Sequence, residues 1–300
     1  MASEKAVDKA AMARLLREHG LATAPFHEVG LPDVGQLLEL YPASARLVAR
    51  TSRTGTADRN LPRLVDATAQ SVVEWSKDLH PGTVLLVSPY GHLIASAEVA
   101  MVPSVALVEA VYGVWELDNR QQPGSALGRR DSGGVMWDRW VMPTASARRR
   151  FSFAAGIEQD GPTPSWLLRA FCDWASVHAA SLDALALTIG SPQIVKVLLY
   201  AEWGMQALNA RPVGDLFVPP GDADPGPDPG TPVVSSADQA LAPAPAVILT
   251  VSAARENAAS LERLIGRLVQ VGVEVAYLES GLLSHTAIAL REAGILVRQR

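Results

Sequence analysis

The sequence predicts a protein of mixed α and β structure in two unequal parts, and three observations support this. Residues 1–218 alternate between short strand-like runs and amphipathic helical patterns. Residues 219–245 are dominated by Pro, Gly, Asp and Ala, which is the composition of a linker. Residues 246–300 then run strand, helix, strand, helix, strand, which predicts a small parallel α/β unit.

Composition limits the class of protein. The 300 residues are 48% hydrophobic and 19% charged, without a run of 18 apolar residues or the apolar core of a signal peptide. We therefore expect a globular cytoplasmic protein with no membrane contact. A net charge of −5, without a basic stripe interleaved with aromatics, argues against nucleic-acid binding. The single cysteine, Cys172, excludes disulfides and cysteine-based zinc sites, and its apolar neighbours indicate a packing role.

The N-terminal part begins with an amphipathic helix and a polar loop. Residues 8–20 carry apolar side chains on one helical face and end at Gly20. A short strand at 45–49 runs into residues 50–58, Arg-Thr-Ser-Arg-Thr-Gly-Thr-Ala-Asp. Arginine forks, hydroxyls and backbone N–H groups are suited to phosphate, although the segment is not a Walker loop. The alternative is a polar surface turn.

Further strands and one long helix follow in this part. Residues 84–87, 94–101 and 105–108 have strand patterns, and the last leads into an acidic segment that starts at Glu109. Residues 120–150 look loop-like, 166–187 are predicted to form one helix, and 191–212 a hairpin.

The C-terminal part contains a histidine at a helix start. Residues 273–278 predict a strand, Gly281 a turn, and Ser284 the N-cap of a helix that stops at Gly294. His285 then lies in the first helical turn, where the N–H groups and the helix dipole favour an anion. A neutral imidazole there can attack phosphorus, while the alternative is a surface or capping histidine.

Residues 284–288, Ser-His-Thr-Ala-Ile, followed by Arg-Glu and Gly-Ile, resemble the phosphohistidine segment of the PEP-utilising swivelling domain. That domain occurs in phosphoenolpyruvate synthase, pyruvate phosphate dikinase and rifampin phosphotransferase. Upstream segments resemble the family's ATP-grasp domain in the same order. They are the helix at Lys9, the loop with Arg50, Ser52 and Asp58, the acidic segment at Glu109, and the Leu-Asn-Ala-Arg-Pro end that contains Arg211.

The resemblance implies an ATP-grasp-like α+β domain over residues 1–218, followed by a shortened swivelling-type α/β domain over 246–300. It implies ATP and Mg²⁺ as cofactors. His285 would be the catalytic residue. The residues that would bind ATP are Lys9, Arg50, Ser52, Asp58, Glu109 and Arg211.

The chain departs from this family where the metal should bind. Ile194 and Lys196 stand where the family has aspartate and a metal-binding glutamate, and Asn209 replaces a metal-binding glutamine. Carboxylates usually hold Mg²⁺ in phosphoryl transfer. Either Lys196 takes over the electrostatic role of one metal, or Glu202 joins Asn209 as a displaced metal ligand, or catalysis is lost.

Three functions remain open on this basis. The first is a phosphotransferase that passes phosphate from ATP through His285 to a small-molecule acceptor, with a separate protein as one source of the acceptor-binding domain. The second is a nucleotide- or partner-binding module that has lost the chemistry. The third is an ATP-grasp ligase that forms an acyl phosphate and does not use His285.

Overall fold

The computed structural model describes residues 8–53, 62–112, 123–142, 165–213, 226–250, 253, 258–279 and 281–300. These residues contain the helices α1 Lys9–Glu18, α2 Leu37–Leu40, α3 Ala69–Ser76, α4 Ser165–Val177, α5 Ala179–Ile189, α6 Ala258–Gln270 and α7 His285–Glu292, and a 3₁₀ segment, Leu31–Gln36. The strands are β1 His27–Gly30, β2 Leu47–Arg53, β3 Arg63–Ala67, β4 Thr83–Pro89, β5 Leu93–Val102, β6 Val105–Tyr112, β7 Gly124–Asp131, β8 Gly134–Val141, β9 Gln193–Tyr200, β10 Gly204–Pro212, β11 Val233–Val234, β12 Ala246–Leu249, β13 Val275–Leu278 and β14 Leu296–Gln299.

The chain divides into two compact units. Unit 1 comprises Met1–His92 and Tyr200–Asn209, and unit 2 comprises Leu93–Leu199 and Ala210–Arg300. The sequence predicts a boundary at residue 218, which stays a prediction. Within the described residues, every helix is too short or too polar to cross a bilayer.

Unit 1 is built on a four-stranded antiparallel sheet with the order β1-β4-β2-β3. Its core consists of buried aliphatic side chains from the sheet, the 3₁₀ segment, α2 and α3. The predicted N-terminal helix is confirmed as α1. Its N-cap is Asp8, whose carboxylate accepts a hydrogen bond from Ala11 N–H at 2.8 Å.

A close packing of aromatic rings against Gly91 shapes another part of unit 1. A methyl group added at Gly91 would lie 2.7 Å from a Trp203 ring carbon and 2.9 Å from a Tyr200 ring carbon. The two rings contact each other, with 5.0 Å between their centroids. Only glycine therefore leaves room for this packing.

Gly91→Ala is expected to destabilise the protein by about 1–3 kcal/mol, because the rings must move off their preferred positions. The midpoint of urea unfolding measures this. Gly35→Ala is the matched control, since no atom lies within 4 Å of the added methyl group and its φ is not positive. Equal midpoints for the two variants would contradict the prediction.

The antiparallel sheet of unit 2 has the strand order β10-β9-β5-β6-β7-β8. The last residue of β9, Tyr200, and the part of β10 up to Asn209 belong to unit 1. The strands β5 and β6 form a hairpin with a two-residue turn, since Val102 pairs with Val105. The predicted hairpin at 191–212 is present as β9 and β10.

Two elements of unit 2 differ from the sequence prediction. The region 120–150 was expected to be loop, yet it contains β7 and β8, because pairing with β6 organises a glycine-rich stretch that has little alternation. The predicted single helix is divided into α4 and α5 at His178. The His178 ring stacks on Trp174 with a centroid distance of 4.5 Å.

The C-terminal segment is a four-stranded parallel sheet with the order β11-β12-β13-β14, together with α6 and α7. Its core is continuous with Ala100 and Leu107 of the antiparallel sheet in the same unit. Strand β11 lies inside the segment predicted as linker, because its two β-branched valines pair with β12. The predicted α/β pattern of residues 246–300 is confirmed.

Candidate functional site

Four charged side chains, three of them buried and one partly buried, lie on one face of the unit 2 sheet. They are Glu98 on β5, Glu109 on β6, Lys196 on β9 and Arg211 on β10. Glu98 and Glu109 lie directly opposite each other in the antiparallel register. Because side chains alternate along strands, this face is the one that carries Ala100, Leu107 and Ile194 into the core shared with the C-terminal segment.

Glu98 is the centre of one half of this cluster. Its Oε2 lies 2.8 Å from an Arg211 guanidinium nitrogen, and its Oε1 lies 3.9 Å from Lys196 Nζ. Glu98 is 3% exposed and Lys196 is completely buried. Buried charges are costly unless they are paired, so the Glu98 carboxylate stabilises both the buried Lys196 and the partly buried Arg211.

Glu109 is the centre of the other half, and it binds main chain. Leu282 N–H donates to its Oε1 at 2.6 Å, and Leu283 N–H donates to its Oε2 at 2.8 Å. Gly281, which precedes these residues, has a φ of +95°. A methyl group at Gly281 would lie 2.7 Å from Glu109 Oε2, so the loop approaches the carboxylate as closely as glycine permits.

The carbonyl groups of the same loop are bound by arginines. Arg211 donates to Leu283 C=O and Arg291 donates to Leu282 C=O, both at 2.8 Å. Burial lowers the pKa of Arg291 to about 10, against the attraction of Glu109, and the nearby Arg211 lowers it further. Main-chain polar groups of residues 282 and 283 are thus bound to side chains of the cluster.

Among the residues that the structure describes, the cluster brings together three cationic groups, Lys196, Arg211 and Arg291, and two carboxylates, Glu98 and Glu109. An arginine fork and a lysine point charge in a poorly hydrated place bind phosphate or carboxylate oxygens strongly. The arrangement can therefore stabilise an anion or an anionic transition state.

Glu109 also makes a pH dependence predictable. Burial raises its pKa from 4.5 to about 7, the neighbouring Glu98 raises it further, and the two N–H donors and Arg291 lower it. The folded protein therefore binds a proton that the unfolded chain releases between about pH 4.5 and pH 7. Stability from this group is present below pH 4.5 and is lost as the pH rises through 7.

We therefore expect the free energy of unfolding to fall from pH 5 to pH 7 more steeply in the wild type than in Glu109→Gln. The difference between the two slopes should correspond to at most one bound proton. Above pH 8 the two slopes should agree. Urea unfolding at half-unit pH intervals measures both slopes. Parallel profiles throughout would show that Glu109 does not titrate in this window.

The predicted nucleotide contacts Lys9 and Ser52 lie together in unit 1. The Ser52 hydroxyl accepts from Ala10 N–H at 3.3 Å and donates to the N-cap Asp8 at 3.4 Å, so it lies at the start of α1, next to Lys9. Arg50 lies on β2, close enough to Tyr200 to affect its pKa. Asp58 lies outside the described residues.

The structure does not bring the two predicted metal ligands together. Glu202 lies just before β10 and accepts hydrogen bonds from His92 N–H at 3.0 and 3.2 Å, and its carboxylate also contacts the His92 ring. Asn209 is five residues into β10, roughly 16 Å from the strand start at about 3.3 Å per residue.

Of the two predicted metal ligands, Glu202 and Asn209, only Asn209 has a side-chain oxygen without a hydrogen bond among the described residues. Its side-chain Oδ1 is buried and accepts no hydrogen bond from the described part of the chain, which suits a cation that completes it. Among the described residues there is no group of three or more His, Cys, Asp or Glu side chains that could hold a metal ion. A magnesium ion here would share its coordination with substrate phosphates.

The helix that starts at His285 is present as α7. Its N-cap is Ser284, whose hydroxyl accepts from Ala287 N–H at 3.2 Å, as the sequence predicts. The His285 side chain lies outside the described part of the structure. The turn before this helix is the loop bound by Glu109 and Arg211.

Sequence reasoning missed Glu98 and Arg291. Glu98 is the single charge in the strand Leu-Ile-Ala-Ser-Ala-Glu-Val-Ala-Met-Val, and a lone carboxylate in an apolar strand is a signal for a paired buried charge. Arg291 stood out only as part of a motif. The motif gave no indication of its burial beside Glu109.

No family model and no curated protein matches the chain. Solved structures align with 69% of it at low similarity. One is D-cycloserine synthetase DcsG, with 16% identity, 62% of its own length covered and a TM-score of 0.35. Another is the ADP complex of PurK, N5-carboxyaminoimidazole ribonucleotide synthetase, with 11% identity, 45% of its length covered and a TM-score of 0.40. D-alanine-D-alanine ligase from Helicobacter pylori has 9% identity, 54% of its length covered and a TM-score of 0.38. The chain thus spans less than two thirds of these proteins.

The predicted membership of the phosphoenolpyruvate synthase and pyruvate phosphate dikinase family was wrong. No model of that family matches, and these three solved structures are ligases and synthetases. The motif at 284–288 misled the prediction because a Ser N-cap followed by a polar residue and small apolar residues is common to many helix starts.

Proposed function

We propose that this chain is an ATP-dependent ligase with an ATP-grasp-like fold. In the reaction, a substrate carboxylate attacks the γ-phosphorus of ATP, ADP leaves, and an acyl phosphate forms. A nucleophile on a second small molecule then attacks the acyl carbon and expels phosphate. The observation that carries the proposal is the buried group of Glu98, Lys196 and Arg211 on neighbouring strands.

The role of this group follows from its charge. The transferring phosphoryl group and the acyl phosphate are anionic, and preorganised cations in a site with little water stabilise them without reorganisation. Glu98 holds Arg211 at 2.8 Å and Lys196 at 3.9 Å, which fixes both cations before substrate arrives. Lys196 and Arg211 are therefore the proposed phosphate contacts.

ATP and Mg²⁺ are the cofactors that this reaction needs. Mg²⁺ bound with ATP would neutralise phosphate charge, and the Asn209 Oδ1 is the proposed protein ligand to it. Lys9 and Ser52, at the start of α1, remain proposed ATP contacts, as does Arg50 on β2. Glu109 is not proposed as an ATP contact, because main-chain N–H groups bind both of its oxygens.

One observation favours a second candidate, a nucleotide- or partner-binding module without chemistry. Of the two carboxylates in the cluster, Glu109 is bound by the chain itself and Glu98 is neutralised by Arg211. Carboxylates that are already satisfied are poor ligands for a catalytic metal. A protein of this kind would bind ATP and release no ADP.

The decisive experiment incubates the purified protein with α-labelled ATP, Mg²⁺, hydroxylamine and a panel of amino and carboxylic acids. A ligase should form ADP in step with a hydroxamate, which traps the acyl phosphate. ATP binding by calorimetry without ADP would support the binding module instead. AMP as the product would overturn both proposals. His285→Ala is expected to retain ADP formation, since an acyl-phosphate route needs no phosphohistidine.

A further inference from the structure

We infer that residues 281–283 are a fixed part of the proposed site, and that Glu109 is a positioning residue that orients Arg211 through this loop. The inference rests on the proposed function for the task of Arg211. It gives the C-terminal α/β segment a role that differs from a travelling phosphate carrier.

The chain of contacts has three links. The Glu109 carboxylate accepts hydrogen bonds from the consecutive N–H groups of Leu282 and Leu283, which fixes the two successive peptide planes 281–282 and 282–283. The same Leu283 presents its C=O to Arg211 at 2.8 Å. The same guanidinium nitrogen, Nη2, also lies 2.8 Å from Glu98 Oε2. The loop carbonyl and Glu98 therefore set the orientation of the guanidinium between them.

A second anchor closes the loop from the helix side. Arg291 on α7 donates to Leu282 C=O at 2.8 Å and is attracted by Glu109. Within the described part of unit 2, the charged groups that face Glu109 are Glu98 from β5 and Arg291 from α7. Charge-assisted hydrogen bonds in a buried place are among the stronger single contacts in proteins. The loop is accordingly held on both its N–H and its C=O sides.

Arg211 depends on this arrangement because its Nε does not help to orient the group. Its Nε is buried and donates no hydrogen bond within the described residues. The guanidinium is therefore oriented through Nη2, the atom that contacts both Glu98 and Leu283. Displacement of the loop would remove one of these two contacts and leave Arg211 free to rotate about Glu98.

Gly281 allows this inference to be tested without changing any charge. In Gly281→Ala the new methyl group would lie 2.7 Å from Glu109 Oε2 and 2.9 Å from Pro123 Cγ. Gly272→Ala is the matched control in the same segment. Its φ is +80° compared with +95°, so the backbone strain is similar, but no atom lies within 4 Å of its added methyl group.

The experiment compares wild type, Gly281→Ala and Gly272→Ala by amide hydrogen exchange and by ¹⁵N NMR of arginine Nε–H groups. We expect Leu282 and Leu283 amides to exchange about tenfold faster or more in Gly281→Ala than in the control, since each loses a hydrogen bond to a charged acceptor. The Arg211 Nε–H signal should shift and exchange faster in the same variant, and kcat for ADP formation should fall with little change in KM for ATP.

Two results would overturn the inference. One is unchanged Leu282 and Leu283 exchange in Gly281→Ala, and the other is faster exchange there with an unaltered Arg211 signal. Glu109→Gln provides a second route if Gly281→Ala does not fold, because it removes one of the two acceptors and should move the same signals. The NMR readouts do not need turnover. A wild type that forms no ADP would therefore refute the ligase proposal while the Arg211 signal still decides the positioning role.

Discussion

Replacing Glu98 with alanine is expected to destabilise the protein by about 3–5 kcal/mol, because the substitution removes the carboxylate that pairs with the buried Lys196 and the partly buried Arg211. Equilibrium unfolding in urea, followed by far-UV circular dichroism, measures the loss. Because alanine is much smaller than glutamate at this buried position, a cavity contributes to the loss in addition to the electrostatic effect.

A double variant and an exposed pair test the electrostatic part of this loss. Glu98→Ala with Lys196→Met should recover part of the lost stability, because one uncompensated charge is removed with its partner. Asp138→Ala breaks an ion pair with Arg129, whose side chain is 71% exposed, and should cost less than about 1 kcal/mol. A Glu98→Ala loss as small as that of Asp138→Ala would mean that water reaches the cluster.

Lys196→Met is expected to lower kcat for ADP formation by about 10²–10³, the effect of removing one preorganised charge from an anionic transition state. Met has similar length and no charge, and Glu98 keeps its contact with Arg211. The fold should therefore survive, which the circular dichroism spectrum and unfolding midpoint will show.

Lys77→Met is the matched control, since the side chain of this lysine is 63% exposed and its ammonium group forms a surface salt bridge with Glu74. It should leave ADP formation as in the wild type. Full activity in Lys196→Met would show that Lys196 does not contact the phosphate, and the ligase proposal would lose its main support. An equal loss in both variants would point to an indirect effect of lysine substitution.

The elements that local periodicity specifies were predictable, and those set by distant pairing were not. The helix at Lys9, the hairpin before Arg211 and the helix after Ser284 have caps and periods that a single sequence displays. Strands β7 and β8 do not, because their order comes from pairing with β6. The residue pattern along one strand does not indicate which other strand will pair with it.

The site shows the same division. Glu109 and Arg211 were singled out from the sequence as ATP contacts, which is untested, while their contacts with the 281–283 loop were not predicted. Their partners are Leu282 and Leu283, and the contact with Glu109 spans 173 residues. A backbone N–H or C=O leaves no mark in a sequence, so nothing local could identify the loop as their ligand. The lone charge at Glu98 was the signal that could have indicated a buried cluster.

The direct opposition of Glu98 and Glu109 also bears on how the β5-β6 hairpin folds. A slip of one residue would place Glu98 and Glu109 on opposite faces of the hairpin, and Ala100 and Leu107 likewise. One of the two carboxylates would then lose the partners that it has in the native register. The acidic pair therefore acts against misregistered pairing, and the alanine-rich strand, which has little side-chain bulk to fix its own alignment, obtains a unique register from its single charge.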